Sequence, residues 1–325
     1  MTNTAESNTR AAPIRIGVSS CLLGAEVRFD GGHKRNDFLT GVFGRFVEFV
    51  PVCPEFELGL GVPRESLRLT RADGEIRMVG NLSGADHTVA MNRFAARRVA
   101  ALAREQLSGY VLKKDSPSCG MERVRVYASG GTPARDGRGL FAAALIARYP
   151  HLPVEEEGRL NDPRLRENFI ERVFAYRRIR DFFARRWTAG ELVAFHTAHK
   201  LQLLAHSPRV YAELGRTVAR AKAIDRDELR EGYEREFMGA MAKVVTPARQ
   251  VNVLQHIAGY FRDHLDPDSR RELATLIDDY RRGLIPLIVP ITLMRHYVRR
   301  FEIAYLAGQV YLEPHPKELM LRNHV

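Results

Sequence analysis

Ile14-Arg15-Ile16-Gly17-Val18-Ser19-Ser20-Cys21 opens the first half of this chain with alternating apolar residues, the pattern of a β-strand. A second such run extends from Phe46 to Val52, after a segment around Asp37 to Phe46 that we expect to be helical. Apolar residues at helical spacing over Thr88 to Gln106 then lead into a third run at Tyr110 to Leu112. Because strands and helices alternate in this order, the first half predicts an α/β domain with a mostly parallel sheet.

The second half has a different pattern, in which amphipathic segments follow one another without strands. Their apolar residues recur at the spacing of a helix face. The segments are Phe169 to Trp187, Leu192 to Ala205, Arg209 to Ala223, Asp227 to Val245, Val251 to Leu265, Ser269 to Gly283 and Ile291 to Leu306. This succession predicts an all-α domain.

The stretch between the two halves is polar and interrupted by prolines. It contains Pro150, Pro153, three consecutive glutamates and Asn161-Asp162-Pro163, a composition typical of a boundary between domains. The sequence therefore predicts a disordered tail over residues 1–13, an α/β domain over 14–150, a linker over 151–163 and a helical domain over 164–325.

The composition is that of a globular protein with a basic surface. The 325 residues are 45% hydrophobic and 27% charged, which excludes a disordered chain and a small disulfide-stapled scaffold. The formal net charge of +11 favours a polyanion such as nucleic acid as a partner. The most apolar run, Leu284 to Met294, is shorter than the ~20 residues of a membrane-spanning helix. Since residues 1–13 also lack a signal-peptide pattern, we expect a cytoplasmic protein without a membrane partner.

The chain has three cysteines, and each follows a predicted strand. Cys21 and Cys53 come directly after the first two strands, and Cys119 follows the third after a short polar loop. An odd number in a reducing compartment argues against a disulfide framework. Because the carboxyl ends of parallel strands share one edge of a sheet, three thiols could converge there and bind metal. The alternative is that each cysteine is a small buried apolar residue, and their spacing does not decide between the two.

The residues around the cysteines resemble those of a known family, the thiouracil desulfidases of the TudS type, over about residues 14–150. The motifs that carry the resemblance are Ser19-Ser20-Cys21-Leu22-Leu23-Gly24, Arg28-Phe29-Asp30-Gly31-Gly32-His33-Lys34, Val52-Cys53-Pro54-Glu55, Pro63-Arg64 and Ser116-Pro117-Ser118-Cys119-Gly120. In that family three cysteines hold a 4Fe-4S cluster and leave one iron without a protein ligand. The resemblance implies that Cys21, Cys53 and Cys119 are the cluster ligands here.

A cluster with one open iron suits the removal of sulfur, because that iron is a Lewis acid for a soft thiocarbonyl sulfur. The implied reaction converts C=S to C=O and releases sulfide, with no net redox change. In this family context we predict catalytic roles for Glu55 as general acid and base, and for Ser116 and Ser118 as hydrogen-bonding hydroxyls. The alternatives are a surface or helix-capping carboxylate and an ordinary Ser-Pro-Ser turn.

A mostly cationic group lies close in sequence to the first two cysteines. Such side chains could fix the edge of a uracil ring or bind a phosphate, and the alternative is that roughly half of them are solvated loop charges. The predicted substrate-binding residues are Arg28, Asp30, His33, Lys34 and Arg64.

The helical half resembles the YbgA-type domain that occurs fused to TudS domains, over roughly residues 185–320. The stretches that carry this resemblance are Phe195 to Arg216, Asn252 to Phe261 and Leu287 to Pro314. Together the two halves resemble the RudS type of two-domain desulfidase, which implies thiouridine in transfer RNA (tRNA) as the substrate.

Basic and aromatic residues are interspersed along two of the predicted helices of this half. Such a combination suits phosphates and unstacked bases, although a solvated helix face carries similar charge runs. The residues concerned are Arg177, Arg178, Arg180, Arg185 and Arg186 with Tyr176 and Trp187, and Arg295, Arg299 and Arg300 with Tyr297.

Two further hypotheses stand beside the tRNA desulfidase. The chain could remove sulfur from free thiouracil or thionucleosides, with the helical domain used for oligomerisation. It could also belong to another class, as a non-catalytic RNA-binding or redox-sensing iron–sulfur protein.

Overall fold

A computed structural model of the chain describes residues 13–128 and 132–325. The chain divides into two units, Met1–Arg148 and Tyr149–Val325. The first combines strands and helices and the second is mostly helical, so the expected fold class is confirmed. The expected disordered tail falls, except for Pro13, outside the described residues.

The described part of the first unit contains seven strands and three α-helices. In chain order they are β1 (Arg15–Ser19), β2 (Glu48–Val52), α1 (Pro54–Glu57), β3 (Leu67–Ala72), β4 (Glu75–Gly80), α2 (Thr88–Ala101), β5 (Gly109–Leu112), β6 (Val124–Tyr127), β7 (Ala134–Gly137) and α3 (Leu140–Arg148).

Three of these strands form the predicted parallel arrangement, in the order β2–β1–β5. Ile16 of the central strand lies opposite Phe49 of β2 and Gly109 of β5. The packing around β1 is tight, because a Cβ atom on Gly17 would lie 2.1 Å from the ring of Tyr110. All three strands run in the same direction, so their carboxyl ends meet at one edge.

A second sheet, in the order β4–β3–β6–β7, was not predicted from the sequence. Strands β3 and β4 form an antiparallel hairpin. Asp73 and Gly74 close it with φ angles of 53° and 82°, as the common two-residue hairpin turn requires. Strand β6 then pairs in parallel with β3 and antiparallel with β7.

The segment around Asp37 to Phe46 is not the regular helix that we expected. It forms a π-helical turn over Phe38–Val42 and a 3₁₀ turn over Phe43–Arg45. The rings of Phe38 and Phe43 stack with their centroids 5.9 Å apart. Because these rings are five residues apart, the wider π-helical turn brings them to one side, where Phe43 is fully buried.

The second unit contains one short strand and nine α-helices. They are β8 (Val154–Glu156), α4 (Pro163–Ala184), α5 (Ala189–Ala198), α6 (Lys200–His206), α7 (Pro208–Ala219), α8 (Arg226–Met241), α9 (Pro247–Gly259), α10 (Pro267–Arg281), α11 (Ile288–Arg300) and α12 (Ala304–Ala307). None of the helices in the described part of the chain is long and apolar enough to cross a membrane.

The segment expected to be a linker, residues 151–163, has structure of its own. It contains β8, and the side chains of Glu155 and Glu156 are buried. Its last residues begin α4, because the Asp162 carboxylate accepts hydrogen bonds from the backbone N–H groups of Arg164 and Leu165. Pro163 occupies the first helical position, where the missing N–H has no cost.

Two histidines are buried among aromatic rings of the helical unit. The His199 ring lies 4.1 Å from that of Phe195, and its Nε2 accepts a hydrogen bond from Arg178 Nε at 3.3 Å. Burial, aided by the Arg178 charge, lowers the pKa of His199 to about 3. Burial lowers the pKa of His196, which contacts the Tyr233 hydroxyl, to about 4. Both imidazoles are therefore neutral in the folded unit at pH 7.

This burial makes the stability of the helical unit fall in acid. In the unfolded chain these two histidines take up a proton near pH 6.5, whereas in the folded chain they stay neutral until much lower pH. The free energy of unfolding therefore decreases as the pH falls below 6.5. Between pH 7 and pH 5 we expect His199 to account for a loss of about 2 kcal/mol. Urea unfolding followed by the fluorescence of Trp187, the chain's one tryptophan, reports on this unit.

A His199→Leu variant should be less sensitive to pH than the wild-type chain by that amount. The matched control is His296→Leu, at an exposed position of α11, which should keep the wild-type pH dependence. Equal pH dependence in the wild type and His199→Leu would refute the assignment.

Candidate functional site

A cavity of about 290 Å³ lies in the first unit, where β1, β2 and β5 end. All three cysteines line it. The full lining is Ser19, Ser20, Cys21, Val27, Arg28, Phe29, Val52, Cys53, Pro54, Glu55, Arg64, Ser66, Leu67, Lys113, Lys114, Asp115, Ser116, Pro117, Ser118 and Cys119.

Each cysteine is placed by the turn that follows its strand. Cys21 lies in a 3₁₀ turn directly after β1, which Gly24 ends with a φ of 100°. Cys53 precedes α1, and its thiol lies 3.7 Å from the carbonyl oxygen of Val27. Cys119 lies in the loop after β5 and is 5% exposed. The sheet topology thus brings three residues distant in sequence to one cavity.

The thiols of Cys53 and Cys119 are in surroundings that disfavour the free thiolate. None of the three cysteines, all of which are described, is in a disulfide. Burial is the main reason that the pKa values of Cys53 and Cys119 are raised, and the Glu55 carboxylate raises both further. A soft metal centre would supply the positive charge that buried thiolates need.

The candidate metal donors at this cavity are the sulfur atoms of the three cysteines. Among the residues that the structure describes, no three His, Cys, Asp or Glu side chains are close enough to share one metal ion. The three cysteines instead stand around a common cavity. Soft sulfur donors are the ligands that iron–sulfur clusters take, and Cys21, Cys53 and Cys119 are the residues that would hold one here.

Glu55 is at the centre of a hydrogen-bonded chain on the cavity wall. Its Oε2 accepts from Arg64 Nη2 at 2.6 Å and Nε at 3.2 Å, and its Oε1 accepts from the Ser118 hydroxyl at 2.6 Å. The side chains of Arg64 and Glu55 are only 6% and 13% exposed. Arg64 also donates to the carbonyl oxygens of Val27 and Gly61, so it fixes the carboxylate to the surrounding loops.

Ser116 and Ser118 have different positions in the loop after β5. Their hydroxyl oxygens are 3.0 Å apart. Ser116 Oγ accepts from the backbone N–H of Cys119 at 3.1 Å, which makes it part of the turn. Ser118 Oγ contacts Glu55 and lies 3.7 Å from the Cys119 sulfur. Ser118 is therefore the serine that links the carboxylate to a cysteine.

The start of α3 holds this loop in place. The N–H of Leu140 donates to the Pro117 carbonyl at 3.1 Å, and that of Ala142 donates to the Ser118 carbonyl at 3.1 Å. Gly139 is in such close contact that a Cβ atom there would lie 2.5 Å from the carbonyl carbon of Ser118 and 2.8 Å from the nitrogen of Cys119.

Replacement of Gly139 by alanine should therefore displace the loop. We expect Gly139→Ala to lower the free energy of unfolding by about 1–3 kcal/mol, because rigid backbone has to move. Urea unfolding followed by circular dichroism measures this change. Gly239→Ala in α8 is the matched control, since nothing lies within 4 Å of its added Cβ; it should be neutral or stabilising by about 0.5 kcal/mol. Equal stability of the two variants would show that the contact at Gly139 is not tight.

The predicted substrate-binding residues are only partly brought to the cavity. Arg28 and Arg64 line it, whereas Asp30, His33 and Lys34 are not among its lining residues and are exposed. Asp30 instead binds the Arg28 guanidinium, with contacts of 3.3 and 3.4 Å. The backbone N–H of Lys34 donates to the Cys21 carbonyl at 2.9 Å, so this residue closes the turn around a cysteine.

Several lining residues were not predicted. Ser19 accepts a hydrogen bond from the N–H of Lys113 at 3.0 Å. Its side chain is also hydrogen-bonded to the Cys119 thiol, which limits the rise in the pKa of Cys119. Lys113 and Lys114 directly follow β5. Phe29, within a motif quoted above, lines the cavity and is 40% exposed. Their position at the carboxyl end of a strand of the parallel sheet was the signal for the first three, since Ser19 ends β1 and the two lysines follow β5.

The aromatic residues expected to stack on RNA bases are not exposed in the helical unit. Tyr176, Trp187 and Tyr297 are 8%, 7% and 5% exposed. These rings pack in the interior, so the expectation of stacking platforms is wrong for them. The predicted arginines partly pair within the unit, as Arg177 does with Asp181 at 2.6 Å.

Together the fold and the cavity define a two-part class of protein: an α/β unit with cysteines at the edge of its sheet, followed by a helical unit. The model of the 2-thiouracil desulfurase family matches residues 16–157, and the model of a protein family of unknown function, DUF1722, matches residues 200–316. This chain belongs to the 2-thiouracil desulfurase family in its N-terminal part and to the DUF1722 family in its C-terminal part.

Individual relatives match the chain in part. The uncharacterized protein YbgA of Escherichia coli (strain K12) is 34% identical over 165 residues, which are 50% of this chain and 98% of YbgA. The uncharacterized protein YbbK of Bacillus subtilis (strain 168) is 32% identical over 152 residues, 45% of this chain and 98% of YbbK. The solved structure of the [4Fe-4S]-dependent thiouracil desulfidase TudS is 31% identical in sequence, and the match covers 46% of this chain and 94% of the TudS chain, with a TM-score of 0.37.

Proposed function

We propose that this protein is an iron–sulfur-dependent desulfidase that replaces the sulfur of a thiolated uracil by oxygen, with thiouridine in tRNA as its substrate. One observation carries the proposal. Three cysteines line the same cavity as a Glu55–Ser118 pair, in a domain that belongs to the 2-thiouracil desulfurase family.

The three cysteines would hold the cluster. Cys21, Cys53 and Cys119 supply three sulfur ligands, and the cavity between them offers no fourth cysteine, since the chain has only three. When bound, a 4Fe-4S cluster with one iron free of protein ligands supplies a Lewis acid for the thiocarbonyl sulfur.

The side chains on the cavity wall would carry the proton transfers. The overall reaction consumes one water and yields the carbonyl compound and hydrogen sulfide, so no electron donor is needed. Glu55 accepts a proton from the attacking water, and its position is fixed by Arg64 on one oxygen and Ser118 on the other. The Ser118 hydroxyl lies between this carboxylate and the third cysteine, where the hydrogen bond that it donates to Glu55 orients the carboxylate.

Charge supports a polyanionic substrate. Four cationic side chains line the cavity, Arg28, Arg64, Lys113 and Lys114, against two carboxylates, Glu55 and Asp115. The whole chain has a net charge of +11. Both favour a phosphate-bearing substrate over a neutral free base. In this proposal the helical unit binds the RNA, and the α/β unit performs the chemistry.

The test uses the full chain, reconstituted anaerobically with iron and sulfide, on thiolated tRNA and on free 4-thiouracil. We expect thiouridine in the RNA to be converted to uridine, with one sulfide released for each uridine formed. The rate on tRNA at low RNA concentration should fall steeply between about 50 and 200 mM salt. The rate on free thiouracil, which releases no counterions, is the internal control and should change little.

The outcomes separate the hypotheses. Conversion of free thiouracil without conversion of tRNA would refute tRNA as the substrate and would support the desulfidase reaction itself. No turnover of either substrate by protein that holds its cluster would refute the desulfidase and favour a sensor. A flat salt dependence on tRNA would refute binding through phosphates.

A further inference from the structure

We infer that Phe29 is a specificity-determining residue, whose exposed ring stacks on the pyrimidine ring of the substrate at the cavity wall. This inference rests on the proposed function, in that it assigns the binding of the planar ring in the same cavity. Neither the family match nor the contacts of the cysteines assigns a role to this residue.

Phe29 is a large aromatic residue that is exposed at the cavity. Phe29 lines the cavity and is 40% exposed, although burial of a phenylalanine side chain stabilises a fold. Phe43 and Phe141 of the same unit are fully buried, and the exposed Phe56 does not line the cavity. An aromatic residue that stays partly exposed beside a polar cavity is suited to stack on a flat heterocycle.

The turn that carries Phe29 is held by its own hydrogen bonds. The N–H of Gly31 donates to the Arg28 carbonyl at 3.0 Å, and that of Arg28 donates to the Gly32 carbonyl at 3.3 Å. Gly31 has a φ of 77°, which favours glycine. The Asp30 carboxylate accepts from the N–H of Gly32 at 3.1 Å. The ring is thus presented by an ordered turn, which reduces the entropy lost on binding.

The same turn is attached to the residues of the proposed chemistry. The backbone N–H of Arg64 donates to the Phe29 carbonyl at 2.9 Å. The Arg64 side chain and the Cys53 thiol both contact the Val27 carbonyl, at 3.1 and 3.7 Å. A base stacked on Phe29 would therefore have a fixed position relative to Glu55 and a cysteine.

Arg28 completes the platform. Its guanidinium lies over the Phe29 ring, 5.4 Å from the centroid, and Asp30 holds it there with two contacts. Asp30, which the sequence predicted to bind substrate, acts in this arrangement as a positioning residue for Arg28. A guanidinium plane beside an aromatic ring offers both stacking and a positive charge for a nucleotide.

The experiment compares Phe29→Leu, Phe29→Tyr and the control Phe56→Leu in the cluster-loaded full chain. Phe56 is 50% exposed on α1 and is not among the lining residues of the cavity. We expect Phe29→Leu to raise the KM for the thiolated substrate about tenfold, because the ring on which the base stacks is lost. The kcat should stay within about twofold of the wild-type value. Phe29→Tyr keeps a ring and should restore the wild-type KM. Phe56→Leu should leave both constants unchanged.

A second measurement keeps the inference independent of the chemistry. Uridine has no sulfur to remove, and its Kd by isothermal titration calorimetry should rise about tenfold in Phe29→Leu and not in Phe56→Leu. If the wild type removes no sulfur but binds uridine in this Phe29-dependent way, the proposed function fails and the platform stands. An unchanged KM and Kd in Phe29→Leu, or no uridine binding by the wild type, would overturn the platform.

Discussion

Replacement of Glu55 by glutamine is expected to lower the rate of sulfur removal by about 10³-fold, while the protein keeps its cluster. General acid–base catalysis by one positioned side chain contributes about 10²–10⁴-fold. Glutamine has nearly the same shape as glutamate and can still accept the hydrogen bond of Ser118, but it cannot take a proton from water. Single-turnover rates and the visible absorbance of the cluster measure the two properties separately.

The matched control is Glu48→Gln, at the first residue of β2, the strand that precedes Glu55 in the chain. Glu48 is exposed, and its carboxylate contacts Arg15 at 3.4 Å. This variant should keep the wild-type rate. A Glu55→Gln variant with normal cluster content and a rate within tenfold of the wild type would show that Glu55 does not transfer the proton.

Replacement of any one cysteine by alanine is expected to remove most of the cluster and all measurable activity. Loss of a supporting contact to a metal ligand already costs 10–100-fold in metal affinity, so the loss of a ligand itself should cost about 100-fold or more. The variants Cys21→Ala, Cys53→Ala and Cys119→Ala should each show this loss in bound iron and in turnover.

The alternative role of these cysteines makes the opposite prediction. If they are only small buried residues, alanine fills nearly the same space and the chain should keep its iron content and its rate. Circular dichroism shows that each variant is folded before iron is measured. Wild-type iron in Cys119→Ala would remove that residue from the ligand set.

The sequence predicted the parallel sheet, and it indicated that the cysteines could meet at one edge of it. Strand β1 shows period-two apolar residues, and the order of strand and helix requires parallel pairing. Parallel strands end at one edge, so Cys21 and Cys53, which closely follow two of them, could be expected to lie near each other. This inference needed no knowledge of side-chain contacts.

The second sheet could not be found in the same way. Strand β7 has the sequence Ala-Arg-Asp-Gly, with three of four residues exposed, so no apolar pattern marks it. Only the Asp73-Gly74 turn signals the hairpin of β3 and β4, and it was overlooked. In the supposed linker, Asn161-Asp162-Pro163 has the polar composition of a loop because it caps α4.

The site shows a similar division. Glu55 and Ser118 were predicted as separate residues near two cysteines, but their contact joins residues that are distant in sequence. Arg64 was expected to bind substrate, and the structure shows it paired with Glu55 in a nearly closed environment. Charge alone suggested an anionic ligand for Arg64, whereas its partner depends on how the loops pack.

The iron and acid-labile sulfide content of the anaerobically reconstituted wild-type chain tests the central claim most directly. A cluster held by three cysteines predicts about four iron and about four sulfide atoms per chain. Fewer than about one iron per chain, or iron without sulfide, would contradict the claim that this cavity holds a 4Fe-4S cluster.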